Sequence, residues 1–366
     1  MNTARPPQRV AAVDALRALA LFPVVAVNWV GYPALPDAGP LSPPSPVDGP
    51  LAQIVSWFLH ALIAGKGIAL LAFLFGYSQG LSQSRGEEAL GKRRRRLAKL
   101  LTLGLLHGTL LYMGDILTLY AVSGAVLAIW AGHSMAMLKV RLRVLIGLEL
   151  AVIALTVLMA SMPLSGEPSM ALSAPAAWGD WTLRNAGHFI TSTIAFATLG
   201  LPTPLLLMTA GLMAARLRLF SHPRWEPALR RWSRRALWPA VAVNIAFASL
   251  LWPGLRDGDS HVTGRYAIFY LYPTMLLLSA AVPALVLRLR RDPRLLDVLA
   301  PLGRHTLSLY LFSSVVSFSL FSGAGLAWQP GTVLASGLAL AYWTGGLLLA
   351  RVRGPRPLPL ERWLSR

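Results

Sequence analysis

Residues 102–124 read TLGLLHGTLLYMGDILTLYAVSG, two apolar arms that meet at Gly114-Asp115. His107 stands on the first arm, two helical turns before Asp115. An uncompensated ionisable group deep in a bilayer costs about 2.5–3.5 kcal/mol, so such groups usually face a protein interior or a water-filled cavity. The stretch therefore predicts a membrane hairpin that forms one wall of a functional site. The alternative is structural: His107 bonds a neighbouring helix and Asp115 caps the second arm.

The composition is that of an integral membrane protein. Of 366 residues, 55% are hydrophobic and only 13% are charged, and the mean hydropathy is +0.55. Charged residues make up about a quarter of soluble proteins. The formal net charge is +19, but the arginines lie in short runs between apolar spans, so no nucleic-acid partner is expected. The chain has no cysteine, which excludes disulfides, thiolate chemistry and cysteine-bound metals.

The apolar spans predict an all-α polytopic membrane protein with about ten transmembrane helices and cytoplasmic N- and C-termini. The apolar run 51–83 is too long for one crossing, and Gly65-Lys66-Gly67 predicts a break in it. Pro202 and Pro204 predict a kink in the sixth span. The predicted spans are 10–30, 68–82, the two arms of the hairpin, 144–162, 188–215, 236–252, 265–286, 306–328 and 332–350.

The distribution of Lys and Arg sets the predicted orientation. Segment 31–50 has none and segment 163–186 has only Arg184, so both are predicted as external loops. Segments 85–99 and 216–235 are arginine-rich and are predicted as basic cytoplasmic loops, with lipid headgroups as partners. In all, 29 of the 34 Lys and Arg residues fall in predicted internal segments, as the positive-inside rule requires. Residues 1–366 are predicted to form a single transmembrane domain.

Two residues of the first span suggest a ligand contact. Asp14 and Arg17 are three residues apart, so they share a helix face and can pair. The pair is either structural, or Arg17 lines a cytoplasmic opening for an anionic ligand, since a guanidinium matches a phosphate. Arg304, at the inner end of the ninth span, suits a second phosphate contact or simple anchoring at the inner surface.

Helical rise converts position into depth. At about 1.5 Å per residue, His107 is expected about 12 Å above Lys99 and Asp115 about 24 Å above it. Lys66 and Asn28 are expected in the same outer layer as Asp115, where a Lys66–Asp115 pair would lower the cost of both charges. The alternative is a snorkelling Lys66 and a capping Asp115.

His60 precedes Lys66 by about two helical turns and is the second candidate base, or a polar anchor at the interface. The sequence contains no HExxH, Walker, GxGxxG or GxSxG motif, and its histidines lack metal-ligand spacing. No metal and no covalently bound cofactor are therefore expected.

Several short motifs resemble those of the YeiB-like family of uncharacterised bacterial membrane proteins (domain of unknown function 418). They run in order along nearly the whole chain, and the hairpin motif is the specific one. The resemblance implies a multi-pass protein of the bacterial cytoplasmic (inner) membrane. The motifs are D-x-x-R at Asp14–Arg17 with Asn28, K-x-x-x-L-x-x-L-F-G at 66–76, L-L-H-G…G-D-I-L…Y at 105–120, G-R…Y at 303–310 and P-L-E at 359–361.

That family in turn is similar to the transmembrane acyltransferases, which include the acyltransferase-3 proteins and the lysosomal heparan-glucosaminide acetyltransferase. In the acyltransferase-3 proteins an arginine in the first span is followed, after ten residues, by a histidine. Arg17 matches the arginine, but Asn28 stands at the histidine position. Of the ninth-span signature, Tyr310 is retained, whereas Leu309 and Ser313 replace its asparagine and glutamine. An amide cannot act as a general base, so the resemblance leaves that role to His107 or His60.

The resemblance implies a membrane-embedded acyltransferase that moves an acyl group from cytoplasmic acyl-CoA, its donor substrate, to a sugar, lipid or small-molecule acceptor at or beyond the outer face. Arg17, with Arg304 or the inner arginines, would hold the donor's phosphates, and Asp115 with Lys66 would orient the acceptor or bind the oxyanion. The expected ligand contacts also include Asp14, Asn28, Tyr120 and Tyr310. The alternatives are a transporter or export component, whose substrate path these charges would line, and a non-catalytic membrane assembly factor.

Overall fold

The computed structural model describes residues 11–32, 49–82, 87–160, 174–195, 202–257, 271–354 and 356–365. Over these residues the protein is all-α and has no strand. The predicted fold class, a polytopic helical membrane protein, is confirmed in this general form. The helices are α1 (Ala11–Gly31), α2 (Pro50–Phe58), α3 (Lys66–Ser82), α4 (Glu87–Leu110), α5 (Leu117–Trp130), α6 (Met135–Ala160), α7 (Trp178–Ala195), α8 (Pro202–Arg216), α9 (Glu226–Asp257), α10 (Leu271–Arg291), α11 (Pro293–Gly303), α12 (Thr306–Phe321), α13 (Thr332–Arg353) and α14 (Pro359–Ser365).

Among the described residues, five segments are long and apolar enough to cross a membrane. The predicted break in the run 51–83 is present, because a π-helical turn at Leu59–Ile63 and Gly65, with φ of +75°, separate α2 from α3. Helices α5 and α12 are apolar but shorter. The five segments are Ala11–Gly31, Pro50–Leu81, Pro223–Gly254, Pro273–Arg291 and Thr332–Arg353.

Helices extend into several predicted loops. Residues 87–99 are the first part of α4, residues 226–235 begin α9, and residues 178–186 begin α7. The segments predicted as loops at 85–99, 216–235 and 163–186 are therefore helical in these parts, because charge limits membrane depth and does not end a helix. Segments 33–48 and 163–173 lie outside the described residues. The predicted sixth span corresponds to α7 and α8, with residues 196–201 between them outside the described part.

Glycines allow the closest helix contacts. A Cβ on Gly76 would overlap the backbone of Met208, and a Cβ on Gly211 would overlap the backbone of Phe73, so α3 and α8 pack backbone to backbone. In the same way Gly303, the last residue of α11, lies against the backbone of Asp14 in α1. Small residues at membrane helix interfaces permit such approaches.

Helix α1 lies at the centre of the bundle and contacts α3, α11, α12 and α13. Three hydrogen bonds tie it to elements distant in sequence. Trp343 Nε1 donates to the carbonyl of Ala18 (2.8 Å), and Trp29 Nε1 donates to the carbonyl of Ser313 (3.2 Å). At its far end, the hydroxyl of Tyr32 donates to the carbonyl of Leu111 (3.3 Å), in the hairpin turn.

Candidate functional site

The hairpin places a histidine and a carboxylate in direct contact. Helix α4 ends at Leu110 and α5 begins at Leu117, and between them Asp115 turns back towards α4. Oδ1 of Asp115 lies 2.8 Å from Nδ1 of His107. The same carboxylate accepts the backbone N–H groups of Leu117 (3.1 Å) and Thr118 (2.7 Å). Asp115 therefore caps α5, as the structural alternative predicted, and it also holds the His107 ring in place.

The predicted depth of Asp115 is wrong. The estimate of about 24 Å above Lys99 assumed continuous helical rise, but the helix stops at Leu110 and the turn returns the chain towards α4. Asp115 consequently lies beside His107 and Gly104, not beyond them. A Cβ on Gly104 would stand 2.5 Å from the backbone nitrogen of Thr118 and 2.9 Å from Asp115 Oδ2, so the arms meet this closely only because residue 104 is glycine.

The His107–Asp115 pair is enclosed by aromatic rings. His107 is only 2% exposed, and the Asp115 side chain is inaccessible. Ring centroids of Tyr310 and Tyr112 lie 5.2 Å and 6.1 Å from that of His107. Within the described part of the chain, His107 Nε2 and the Tyr112 hydroxyl make no hydrogen bond, and the Tyr310 hydroxyl faces the backbone of Ile116. Buried polar atoms are rarely left unpaired, so His107 Nε2 and the Tyr112 hydroxyl are suited to receive a polar group of a ligand.

The contact with Asp115 favours one tautomer of the His107 ring. An imidazole whose Nδ1–H donates to a carboxylate presents Nε2 as a proton acceptor. The carboxylate also stabilises the imidazolium that forms when Nε2 takes a proton. The buried pair has the geometry of a general base, His107, whose ring is oriented by the Asp115 carboxylate.

A cavity of about 450 Å³ carries three guanidinium groups, those of Arg17, Arg96 and Arg304. Its other lining residues are Leu71, Phe75, Leu100, Ile116, Leu117, Tyr120, Gly303, Thr306, Leu307, Tyr310, Pro357, Glu361 and Leu364. The arginines come from α1, from the charged part of α4 and from the residue after α11, so the close contact between α1 and α11 brings two of them together. A cavity of this size with convergent cations fits a small anionic ligand or part of a larger one.

Asp14 orients the arginines of this cavity. Nη1 of Arg17 lies 3.0 Å from Asp14 Oδ1, as the three-residue spacing predicted, and Nη2 donates to the hydroxyl of Ser78 (2.5 Å). Nε of Arg304 lies 3.9 Å from the other oxygen of Asp14. One buried carboxylate thus faces two guanidinium groups, which leaves net positive charge for an incoming anion.

The cavity reaches the hairpin. Ile116 and Leu117, the residues after Asp115, line it together with Tyr120 and Tyr310. The hydroxyl of Tyr120 donates to the carbonyl of Ile68, which connects α5 to the start of α3. Because Tyr310 lines the cavity and also packs on the His107 ring, it is the residue between the arginines and the buried pair.

Three predicted site residues lie elsewhere. The predicted Lys66–Asp115 pair is absent: Lys66, 7% exposed, has a single hydrogen bond among the described residues, to the carbonyl of His60 (3.4 Å). Asp115 is instead engaged by His107 and by the first turn of α5. His60 is buried, its Nδ1 bonded to the carbonyl of Ser56 (2.8 Å). Asn28 is buried in α1, and none of the three lines the cavity.

Sequence reasoning did not single out Arg96, Tyr112 or Glu361. Arg96 belongs to the run at 93–96, which the sequence interpretation treats as a group, as a topology signal with lipid headgroups as partners or as inner arginines that hold the donor's phosphates. Tyr112 lies inside the hairpin motif, two positions before Gly114, and this aromatic residue near the turn was the available signal. Glu361 belongs to the P-L-E motif, to which the sequence assigned no role. Among the described residues, no cluster of three or more His, Asp or Glu side chains could hold a metal ion.

Comparison with known proteins matches the C-terminal part of the chain to a family. Residues 214–352 match the family model described as "Protein of unknown function (DUF418)". The uncharacterized protein YxaH of Bacillus subtilis (strain 168) is 34% identical over 137 residues, 34% of this chain and 33% of that relative. The chain thus aligns with about a third of the length of this curated relative. The matched family segment contains Arg304 and Tyr310, whereas the hairpin lies before it.

Proposed function

We propose that this chain, whose residues 214–352 match the DUF418 family model, is a membrane-embedded acyltransferase. The observation that carries the proposal is that Tyr310 lines the arginine cavity and also packs on His107 of the buried His107–Asp115 pair. Transfer from a phosphate-bearing acyl donor requires an anion-binding opening close to a general base.

The donor substrate we propose is an acyl-CoA that enters from the arginine side, which the positive-inside rule assigns to the cytoplasm. Arg17, Arg96 and Arg304 hold its phosphate groups through charge-assisted hydrogen bonds. The cavity is too small for the whole donor, so its volume fits the acyl-bearing arm while the nucleotide stays at the opening. The thioester carbonyl would then lie near Tyr310.

In the proposed chemical step, His107 Nε2 accepts a proton. The acceptor's hydroxyl gives its proton to Nε2 as its oxygen attacks the thioester carbonyl, and a tetrahedral intermediate forms. The C–S bond then breaks, the acyl group stays on the acceptor oxygen, and Nε2 returns the proton to the leaving thiolate. Asp115 holds the imidazolium between the two transfers. The Tyr310 and Tyr112 hydroxyls are placed to donate to the oxyanion.

The test measures coenzyme A binding and acyl transfer on purified protein in detergent or nanodiscs. Wild-type protein should bind coenzyme A and cleave the thioester of radiolabelled acetyl-CoA. His107→Gln should retain binding and lose cleavage by about 10²–10⁴-fold, the usual contribution of a general base. Equal cleavage by the variant, or the absence of coenzyme A binding by the wild type, would contradict the proposal.

A transporter is the second candidate, and Lys66 is the observation in its favour. A buried ammonium group without a carboxylate partner among the described residues is expensive in a membrane, and such groups mark substrate pathways. The adjoining π-helical turn makes a broken helix like those at transporter sites. Flux of an acyl donor or its product into proteoliposomes without chemical change would favour transport over the enzyme.

A further inference from the structure

Three residues of the C-terminal segment, residues 356–365, line the arginine cavity. They are Pro357, Glu361 and Leu364, which are far in sequence from the other walls of the cavity. Leu364 is buried, whereas five other residues of the segment, among them Arg356 and Pro359, are exposed. The segment is therefore a partly exposed wall of the cavity, called the cover below.

Glu361 fastens this cover to the start of α12. Its Oε1 accepts the backbone N–H of Ser308 (2.9 Å), and its Oε2 accepts the hydroxyl of Ser308 (2.5 Å). Ser308 lies in the first turn of α12, where free N–H groups and the helix dipole favour an anion. Thr306, Leu307 and Glu361 all line the cavity, so this contact lies at its edge.

A second attachment holds the segment to α4. Nζ of Lys99 donates to the carbonyl of Trp363 (2.7 Å) and lies 4.8 Å from the centre of its ring. Lys99 and Trp363 do not line the cavity. Within the described part of the chain, these two polar contacts and the buried side chain of Leu364 attach the segment, which follows Gly354, whose φ of +67° marks a bend after α13. Polar attachments of this kind are broken far more readily than a buried apolar interface.

We propose that residues 356–365 form a displaceable closure of the arginine cavity and that a phosphate-bearing ligand opens it by replacing the Glu361 carboxylate at Ser308. The ligand class rests on the proposed function, whereas the closure rests on the contacts above. A phosphate group offers the same oxygen acceptors as a carboxylate, carries more negative charge and faces the three arginines of the cavity. In this proposal, Glu361 of the P-L-E motif holds the cover in place by its contact with Ser308, and loss of that contact lets the ligand enter.

The motion of the closure can be measured without a ligand, because the chain has no native cysteine. Leu364→Cys introduces one thiol on the buried side of the cover, and its labelling rate with a water-soluble maleimide reports opening. Adding Glu361→Gln should raise the rate at least tenfold, and adding Ser308→Ala should raise it by a smaller factor. Arg356→Gln, an exposed change in the same segment, should leave the rate unchanged. Equal rates in all four proteins would overturn the closure.

A reversible crosslink tests the link to the ligand. In Lys99→Cys/Trp363→Cys, a short bifunctional methanethiosulfonate reagent should lock the cover without altering a cavity-lining residue. The locked protein should bind coenzyme A at least tenfold more weakly than the same sample after reduction, and unchanged affinity would overturn displacement by the ligand. If no form binds coenzyme A while Glu361→Gln still accelerates labelling, the closure stands and the assigned ligand class fails.

Discussion

Asp115 performs two tasks, and substitutions can separate them. Asp115→Asn keeps a side-chain oxygen for the first turn of α5 but removes the negative charge that orients and stabilises His107. We expect acyl transfer to fall by about 10²–10⁴-fold. The temperature of unfolding in detergent should fall less than in Asp115→Ala, because one of the two oxygens that accept backbone N–H groups of α5 is kept. Wild-type turnover in Asp115→Asn would remove the pair from the reaction.

Asp115→Ala is the matched comparison. It removes the cap as well as the charge, and loss of a helix cap costs about 0.5–2 kcal/mol. This variant should therefore lose activity like Asp115→Asn and, in addition, unfold at a lower temperature. Equal stability of the two variants would show that the cap contributes nothing.

Arg17 makes a forked contact that lysine cannot reproduce. Its two nitrogens reach Asp14 and Ser78 together, and a lysine offers a single ammonium group. Arg17→Lys should weaken coenzyme A binding about tenfold, which corresponds to about 1.4 kcal/mol. Isothermal titration with coenzyme A measures the dissociation constant. The control is Arg353→Lys, which changes an exposed arginine of α13 outside the cavity. Equal dissociation constants for wild type and Arg17→Lys would contradict the assigned role.

At the residue scale, the sequence predicted contacts between residues close together on one helix. It did not predict contacts that form because the chain turns back on itself. The Asp14–Arg17 pair follows from helical spacing alone. The His107–Asp115 contact does not, because eight residues of continuous helix would separate the two groups by about 12 Å. Likewise Lys66 was paired with Asp115 by estimated depth, and the turn that brings Asp115 to His107 removes that pairing.

At the element scale, the α4–α5 hairpin depends on Gly104. Gly104→Ala should push Thr118 and Asp115 away from α4 and destabilise the protein by about 1–3 kcal/mol, the usual cost of overpacking. Gly147→Ala, in α6 where a Cβ meets no atom within 4 Å, should be neutral or stabilise by up to about 1 kcal/mol. Thermal unfolding of both variants checks this, and equal destabilisation would contradict the close approach of the arms.

Apolar length identified most helices but not their ends. The start of α4 at Glu87 lies well before the apolar arm, because Lys and Arg are good helix formers and carry the helix out of the membrane. This extension puts Arg96 on the same helix as His107, so one element contributes to both the cavity and the buried pair. The four consecutive arginines at 93–96 are visible in the sequence, but the sequence does not show which of them faces the cavity.

For the whole molecule, the distribution of arginines predicts that the turn before α13 and the end of α13 lie on opposite sides of the membrane. Gly331→Cys should react with a membrane-impermeant maleimide in intact cells, since a Cβ there meets no atom within 4 Å. Arg353→Cys should react only after permeabilisation. Reaction of both in intact cells, or of Arg353→Cys alone, would contradict the predicted orientation.

The overall class followed from composition, because a chain that is 13% charged leaves too little polar surface for a soluble fold. The convergence of α1, α4, α11 and α12 on one cavity could not be predicted, since it depends on contacts such as Gly303 against Asp14 that join residues nearly 290 positions apart. The sequence motifs contain several of the residues at the candidate site, and contacts between residues distant in sequence bring part of them together.

Helix α1 has a consequence for substrate choice. It carries Arg17 at the cavity and Tyr32 at the hairpin turn, and fifteen residues of helix separate these two points by about 22 Å. Under the proposed function, we expect the distance between Arg17 and the hairpin turn to set a minimum length for the acyl donor. Acetyl phosphate, whose acyl and phosphoryl groups are adjacent, is too short to occupy both ends at once, so only carriers with a long arm should be turned over.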